Sequence, residues 1–501
     1  MKKSNKVLKD SLVYTGSALL IKALGFLLLP LYTNYLTPDQ YGIINIANSF
    51  SAVMSLIITF SLHSAVIRFY TDYKEDKSKL KEFISSLICF VLIIGISITI
   101  IGFLCKNLIS EYFFNGIEFF PIIILILLDM TFAALYIIHQ NIMQAMRNSF
   151  KYSVINIIYF FSTLTLNITF TCIFKMGATG ILLTTAIINI LYFIFIIIDL
   201  KKIDMFTISM NFNLLKRSLR YSIPIIPHNL ATRISFFISR LLLNKESSLA
   251  ALGLYSVAYQ FGNIIDVIQT SVNIAFTPWF YDVLNKNDDG LKKEAVKLSK
   301  TIIIGYSFFY LGIGLFCKEV IILMTNKEYR LAWTVVPILV SAFSIKSIYY
   351  FYLNIILFNT KSSKKVFIAS ITSSLSNIIF AETFVYRYGM YGVAIAQLLS
   401  IAILVFMTIQ ISKQCNYIKF KVKDMLSIII PCNLYMGLVL IPSYILSPSK
   451  FSIKIFLFKV FMYIIYGGII GFSKTTREII NGFNIFNVIK KRLNNVLERQ
   501  W

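Results

Sequence analysis

Apolar runs long enough to cross a lipid bilayer recur along this sequence at nearly regular intervals, and no other feature constrains the fold as strongly. A hydrocarbon core about 30 Å thick takes roughly 20 helical residues or 9–11 residues of a tilted strand. Inside it every backbone N–H and C=O needs a partner within the chain, which leaves helices or a closed barrel. The runs here are of helical length. Six can be placed at 11–36, 41–62, 83–104, 121–144, 154–174 and 181–198. After a polar gap over 199–222, six more follow at 223–243, 252–276, 301–316, 332–358, 366–386 and 393–411, and two at 426–446 and 455–472. The expected fold class is therefore an all-α polytopic membrane protein with about fourteen transmembrane helices.

Composition agrees. Of 501 residues, 57% are hydrophobic and 14% charged, too apolar for an ordinary soluble chain. The net charge of +25 comes from 48 Lys and Arg against 23 Asp and Glu. With the N-terminus taken as inside, 34 of the basic residues fall in inside gaps and 9 in outside loops. That asymmetry is a topology signal and contact with anionic lipid, and it argues against nucleic acid as a partner. Both termini are then expected to be cytoplasmic, in a bacterial inner membrane. The start, residues 1–10, is basic, but no small-residue cleavage site follows the first run, which is read as a retained helix. Six scattered cysteines form no CxxC and no Cys/His cluster, so neither metal nor cofactor is indicated.

A weak parallel repeat runs through the chain. Tyr14 and Tyr221, Asn141-Ile142 and Asn354-Ile355, and Gly177-Ala178-Thr179-Gly180 and Gly389-Met390-Tyr391-Gly392 pair at offsets of 207, 213 and 212. Two copies of a six-helix unit in the same orientation give two lobes related by a pseudo-two-fold axis along the membrane normal, with a cavity between them. The expected domains are an N-lobe (1–200), an inter-lobe linker (201–222), a C-lobe (223–412), two appended helices (426–472) and an amphipathic tail (473–501). In that tail Phe483, Phe486, Ile489, Leu493 and Val496 recur at helical spacing beside Lys490, Lys491 and Arg492.

Three stretches resemble a known family. Pro30-Leu31-Tyr32-Thr33-Asn34-Tyr35-Leu36-Thr37-Pro38-Asp39-Gln40-Tyr41-Gly42 is similar to a "PLYTRYLTPEEYG" signature. The stretch from Leu219-Arg220-Tyr221 to Pro227, and Glu328-Tyr329-Arg330-Leu331-Ala332, are similar to two further motifs of the same group. That group is the polysaccharide flippases of the multidrug/oligosaccharidyl-lipid/polysaccharide exporter superfamily. The resemblance implies a transporter, not an enzyme, that moves an undecaprenyl-diphosphate-linked oligosaccharide to the outer leaflet for capsule, O-antigen or another surface polymer. Polysaccharide polymerase and chain-length machinery would be its partners. One departure stands out: Ser239-Arg240 occupies a place where the family often has Asp-Arg.

A cationic cavity would suit a diphosphate, because a Lys or Arg in hydrocarbon costs roughly 2.5–3.5 kcal/mol and so faces the bundle interior. Lys22, Arg233, Arg240 and Lys346 lie inside spans and are the candidate substrate-binding residues, with Arg233 and Arg240 two turns apart on one helix. For each, the alternative is pairing with a buried acid or snorkelling to the headgroups. Lys459, near a span end, is read as snorkelling. Asp129, Asp266 and Glu382 are the carboxylates placed well inside spans, either for ion coupling or to neutralise the cations. His139 and His228 are read as hydrogen-bonding residues rather than proton carriers. Rival functions are a lipid II flippase, a drug or cation antiporter, and a polysaccharide polymerase; the last is disfavoured because the external loops are only about fifteen residues long.

Overall fold

The computed structural model describes residues 25–472, except 27, 287, 360, 361, 363, 364 and 416. Lys22, Tyr14, the tail after Phe472 and the side chain of His228 lie outside the described residues. The N-lobe comprises α1 (Leu29–Tyr35), α2 (Pro38–Thr59), α3 (Leu62–Tyr73), α4 (Lys77–Leu104), α5 (Ile124–Ala145), α6 (Ser149–Asn167) and α7 (Gly177–Lys202). A short helix α8 (Phe212–Ser222) leads to α9 (Ile226–Glu246), α10 (Leu249–Lys286), α11 (Asp289–Met324), α12 (Val336–Phe358) and α13 (Val366–Lys413), and then to α14 (Val422–Leu446) and α15 (Ile453–Phe472).

Ten helices in the described residues are long and apolar enough to cross a membrane. One of them, α13, is 48 residues long and breaks at Gly389, so it is two spans. The 21-residue α9 and 38-residue α10 have the length but not the apolarity, because their polar residues face the protein interior. These account for thirteen of the fourteen expected spans; most of the first, 11–36, lies outside the described residues. The fold is the expected all-helical, two-lobed one. Large apolar side chains on the outer faces, such as Ile93, Ile100 and Leu104 on α4 and Phe461 and Ile464 on α15, are exposed, as lipid-facing residues should be.

The repeat is visible in the backbone. Gly177 and Gly389, paired in sequence, both have positive φ, +60° and +51°. Each makes the turn between the fifth and sixth spans of its lobe, a left-handed conformation in which a side chain would be strained. The lobes meet where α2 and α10 cross at their first turns. A Cβ on Gly42 would fall 2.3 Å from the carbonyl oxygen of Leu249, and one on Gly253 would fall 2.0 Å from that of Pro38. Gly42 and Gly253, like Pro38 and Leu249, are 211 positions apart, so this is one contact made twice across the pseudo-two-fold axis.

Local chemistry sets the start of α2. Thr37 caps the helix by accepting from the Gln40 amide, the Gln40 side chain accepts from the Thr37 amide, and Pro38 fits the first turn, where its missing N–H is not needed. Tyr329 donates to the Leu36 carbonyl at 3.0 Å, and its ring packs edge-on against Tyr41. Gln260 of α10 donates to the Tyr41 hydroxyl. Two of the family-like motifs thus meet at this crossing and build it. At the opposite end, α8 packs on the N-lobe: Leu214 and Leu215 are buried, and Arg217 lies 4.8 Å over the Phe69 ring and donates to the Tyr73 hydroxyl at 2.9 Å.

Because backbone, not a flexible side chain, stands against each glycine, relief requires the helices to separate. Gly253→Ala is expected to lower the thermal midpoint of the detergent-solubilised protein by the equivalent of about 1–3 kcal/mol of overpacking. Gly468→Ala, where nothing lies within 4 Å of the added carbon, should leave it unchanged. Equal effects of the two substitutions would show that the crossing does not hold the lobes together.

Candidate functional site

A cavity of about 470 Å³ lies roughly two turns below the crossing, walled mainly by the C-lobe and closed on one side by Ser49 and Ala52 of α2. The first arm of α13 presents Ser370, Ser373, Ser374 and Asn377, and the second arm Gln397 and Ser400. The 370–377 set falls at i, i+3, i+4 and i+7, a single polar stripe. Asn377 organises it: its Oδ1 accepts from Ser235 (2.9 Å) and Ser239 (2.7 Å) of α9, and its Nδ2 donates to Ser400 (3.2 Å) and Gln397 (3.4 Å). Ser239, where the resembled family often has an acid, is therefore one arm of a neutral hydrogen-bond cluster. The cluster carries no charge, so its helical spacing is the one signal of it in the sequence.

Two cations line the cavity. The Arg233 guanidinium is exposed and donates to the Ala52 carbonyl of the other lobe at 3.2 Å. Lys346 Nζ lies 2.9 Å from Asp266 Oδ1, which also accepts from the Tyr350 hydroxyl at 2.7 Å. The lysine charge is thus neutralised within the lobe, while the recorded partner of Arg233 is a neutral carbonyl. Tyr349, Tyr350, Phe236 and Tyr259 add flat aromatic faces to the wall.

Arg240 does not line the cavity. It is 4% exposed, its guanidinium sits 3.4 Å over the Phe236 ring and 5.4 Å from the Tyr259 centroid, and it donates to the Phe236 carbonyl at 3.3 Å. Two aromatic faces take the place of a counter-ion. The expectation that Arg233 and Arg240 converge on one cavity is corrected: one points into it, and the other is packed toward the crossing.

The comparisons with known proteins bear on this arrangement. A family described as polysaccharide biosynthesis protein matches residues 7–284, more than half of the sequence. The chain belongs to that family. Its relatives include Lsg locus putative protein 1 of Haemophilus influenzae, 24% identical over 452 residues that cover 81% of this chain and 99% of the relative. Among solved structures, the lipid II flippase MurJ in an inward closed conformation superposes with a TM-score of 0.70 at 19% identity, covering 94% of this chain and 100% of that one. An inward-facing multidrug resistance MATE family transporter superposes at 0.61 and 15% identity, covering 79% and 94%. An outward-facing conformation of such a transporter superposes at 0.52 and 14%, covering 81% and 95%.

Among the described residues, the acids Asp129, Asp199 and Glu382 and the histidine His139 of this polysaccharide biosynthesis family member lie apart from the cavity. Asp129 sits in the N-lobe, accepting from Asn189 at 2.7 Å and from Ser51 at 3.4 Å, both neutral partners. His139 bridges Tyr192 (2.8 Å) and Asp199 (3.3 Å), and Lys151 reaches Asp199 at 2.6 Å. Asp199 is buried because α7 continues to Lys202, past the end of the apolar run. Glu382 lies inside α13, but its side chain is exposed and does not line the cavity, so it does not join the other two acids.

Lys459 is not a snorkelling residue. It is fully buried, with Nζ 2.9 Å from Glu319 Oε1 and 2.8 Å from the Leu315 carbonyl. Glu319 itself went unnoticed because the apolar run ends near Phe316, whereas α11 continues to Met324. This pair fastens α15 to the C-lobe. Removing one partner leaves an uncompensated buried charge, a loss of about 3–5 kcal/mol. Lys459→Met and Glu319→Gln should each lower the thermal midpoint strongly, and the double variant by much less than the sum. Additive losses in that double-mutant cycle would show that the pair contributes nothing as a pair.

Proposed function

We propose that the protein is a flippase that carries an undecaprenyl-diphosphate-linked oligosaccharide from the inner to the outer leaflet of the bacterial cytoplasmic membrane by alternating access, for surface polysaccharide assembly. The observation that carries this reading is the cavity itself, which combines a cation bonded to a neutral carbonyl, a Lys–Asp pair, and amide, hydroxyl and aromatic groups. A diphosphate needs cationic hydrogen-bond donors, and a sugar headgroup needs amides, hydroxyls and flat aromatic faces. The prenyl tail can remain in lipid throughout.

In this reading Arg233 is the phosphate anchor, and Lys346 exchanges its Asp266 partner for substrate phosphate. Arg240 acts from the side by fixing the aromatic wall formed by Phe236 and Tyr259. Lys22, outside the described residues, is kept as a phosphate contact on sequence grounds. The N-lobe (1–200) and C-lobe (223–412) rock about the α2–α10 crossing, with 201–222 and the helices of 426–472 travelling with their lobes. The excess of basic residues in alternate gaps supports cytoplasmic termini and, with them, a crossing at the outer end. Asp129, a carboxylate with neutral partners, is the candidate for ion coupling; Asp266 is assigned charge pairing with Lys346, and the exposed Glu382 is assigned no coupling role.

Deletion of the gene in its host, complemented by wild type or by Arg233→Ala or Lys346→Ala, tests the reading. Wild type should restore surface polysaccharide. The variants, inserted at normal levels, should leave lipid-linked intermediate facing the cytoplasm, with export reduced by one to two orders of magnitude, as expected on losing a charge-assisted phosphate contact of about 1.5–3 kcal/mol. If the deletion strain instead accumulates unpolymerised intermediate on the outer face, the protein is a polymerase.

A further inference from the structure

At the lysine-rich end of the bundle, α11 and the segment joining α13 to α14 frame a groove of about 870 Å³. It shares no lining residue with the cavity that holds Arg233. Six lysines line it: Lys292, Lys293, Lys297 and Lys300 from α11, and Lys419 and Lys421 from the connecting segment. Its carboxylates are Asp289 and Asp424, so six positive charges meet two negative ones, a formal excess of four. Lys300 lies 3.8 Å from Asp424, which ties the two walls together, while Lys293, Lys419 and Lys421 are exposed.

The depth of the groove is set by the helices that make it. At 1.5 Å per residue the 36 residues of α11 span about 54 Å, well beyond a hydrocarbon core of about 30 Å. Its apolar stretch begins at Thr301, so the four lysines occupy the part that projects from the core. On the facing wall α14 begins at Val422 and turns apolar after Asp424. The groove therefore straddles the boundary between headgroups and acyl chains. Its lining matches that position: Val296, Ile418, Met425 and the Tyr417 ring lie beside the lysine ammonium groups.

We propose that this groove binds the phosphate-bearing headgroup of an anionic phospholipid of the surrounding leaflet, with the start of an acyl chain against its apolar side. A soluble phosphate compound would match the charge, but it would have no use for the apolar residues at membrane depth, so the groove fits lipid. A lipid held there would bridge α11 and α14 and clamp the appended helix pair to the C-lobe.

The test uses the full-length protein in detergent, with retained lipid read by native mass spectrometry during titration with phosphatidylglycerol or phosphatidylcholine. Wild type should retain phosphatidylglycerol preferentially. Lys293→Gln/Lys419→Gln/Lys421→Gln should weaken that retention on the order of a hundredfold, as expected for three lysines at an anionic surface. Lys201→Gln/Lys202→Gln/Lys216→Gln, which removes three exposed lysines elsewhere, should leave it unchanged. If the groove variant does not fold, wild type still decides: phosphatidylglycerol, but not phosphatidylcholine, should protect Lys419 and Lys421 from acetylation. Equal retention of the two lipids, an unaffected groove variant, or displacement of the protection by excess soluble pyrophosphate would each overturn the proposal, the last by making the groove a soluble-phosphate site.

Discussion

Two glycines let two backbones touch, and the rest of the molecule is arranged around that contact. In a membrane the hydrophobic effect does not push helices together, because lipid is as apolar as leucine; close van der Waals approach and buried polar bonds must do so instead. At Gly42 and Gly253 each helix start lies against a carbonyl of the other. The contact is reciprocal, so it orients the lobes as well as joining them. Tyr41, Tyr329 and Gln260 surround it with hydrogen bonds and ring packing, and seal that end above the polar cavity. The most family-like residues of the chain therefore build the contact between the lobes, and the polar cavity lies below it.

Charge is distributed with the same economy. An ionisable group buried inside a span is stabilised by a partner, an aromatic face or a polar cavity. Lys459 with Glu319 is the paired case, fully dehydrated and structural. Arg240 is the aromatic case. Among the described in-span cations, Arg233 combines exposure to the cavity with a neutral partner, the Ala52 carbonyl. This ranking separates the four described in-span cations, which look alike in sequence, into different physical roles.

What the sequence made legible was whatever depends on long-range averages. The spans, the two-lobed architecture and the turn shared by Gly177 and Gly389 could all be read from hydropathy and spacing. Single residues fared less well where an element outran its apolar run: α11 continues eight residues past Phe316 and brings in Glu319, and α7 continues to bring in Asp199. Lys459 resembles a snorkelling residue in sequence for the same reason, because its partner Glu319 lies beyond the apolar run 301–316. Arg233 and Arg240 have identical helical phase within about 20° over two turns, yet a neighbouring aromatic pair, not the helix, decides which one faces the cavity. The Asn377 cluster was missed because neutral side chains carry no hydropathy signal strong enough to interrupt an apolar run.

The low apolarity of α9 and α10 follows from the same arrangement. A helix that faces lipid all round can be uniformly apolar, but α9 carries Ser235, Ser239, Arg233 and Arg240, and α10 carries Gln260, Asp266 and Gln269, each hydrogen-bonded or ring-packed inside the bundle. Such helices are stable in a membrane only if neighbours supply partners along nearly their whole length. The C-lobe provides them through α12 and both arms of α13, and α2 provides them from the other lobe. Moving α2 away would release Arg233 from the Ala52 carbonyl and widen the cavity along the Ser/Asn stripe, so an opening motion at this interface would enlarge a single, preassembled polar surface.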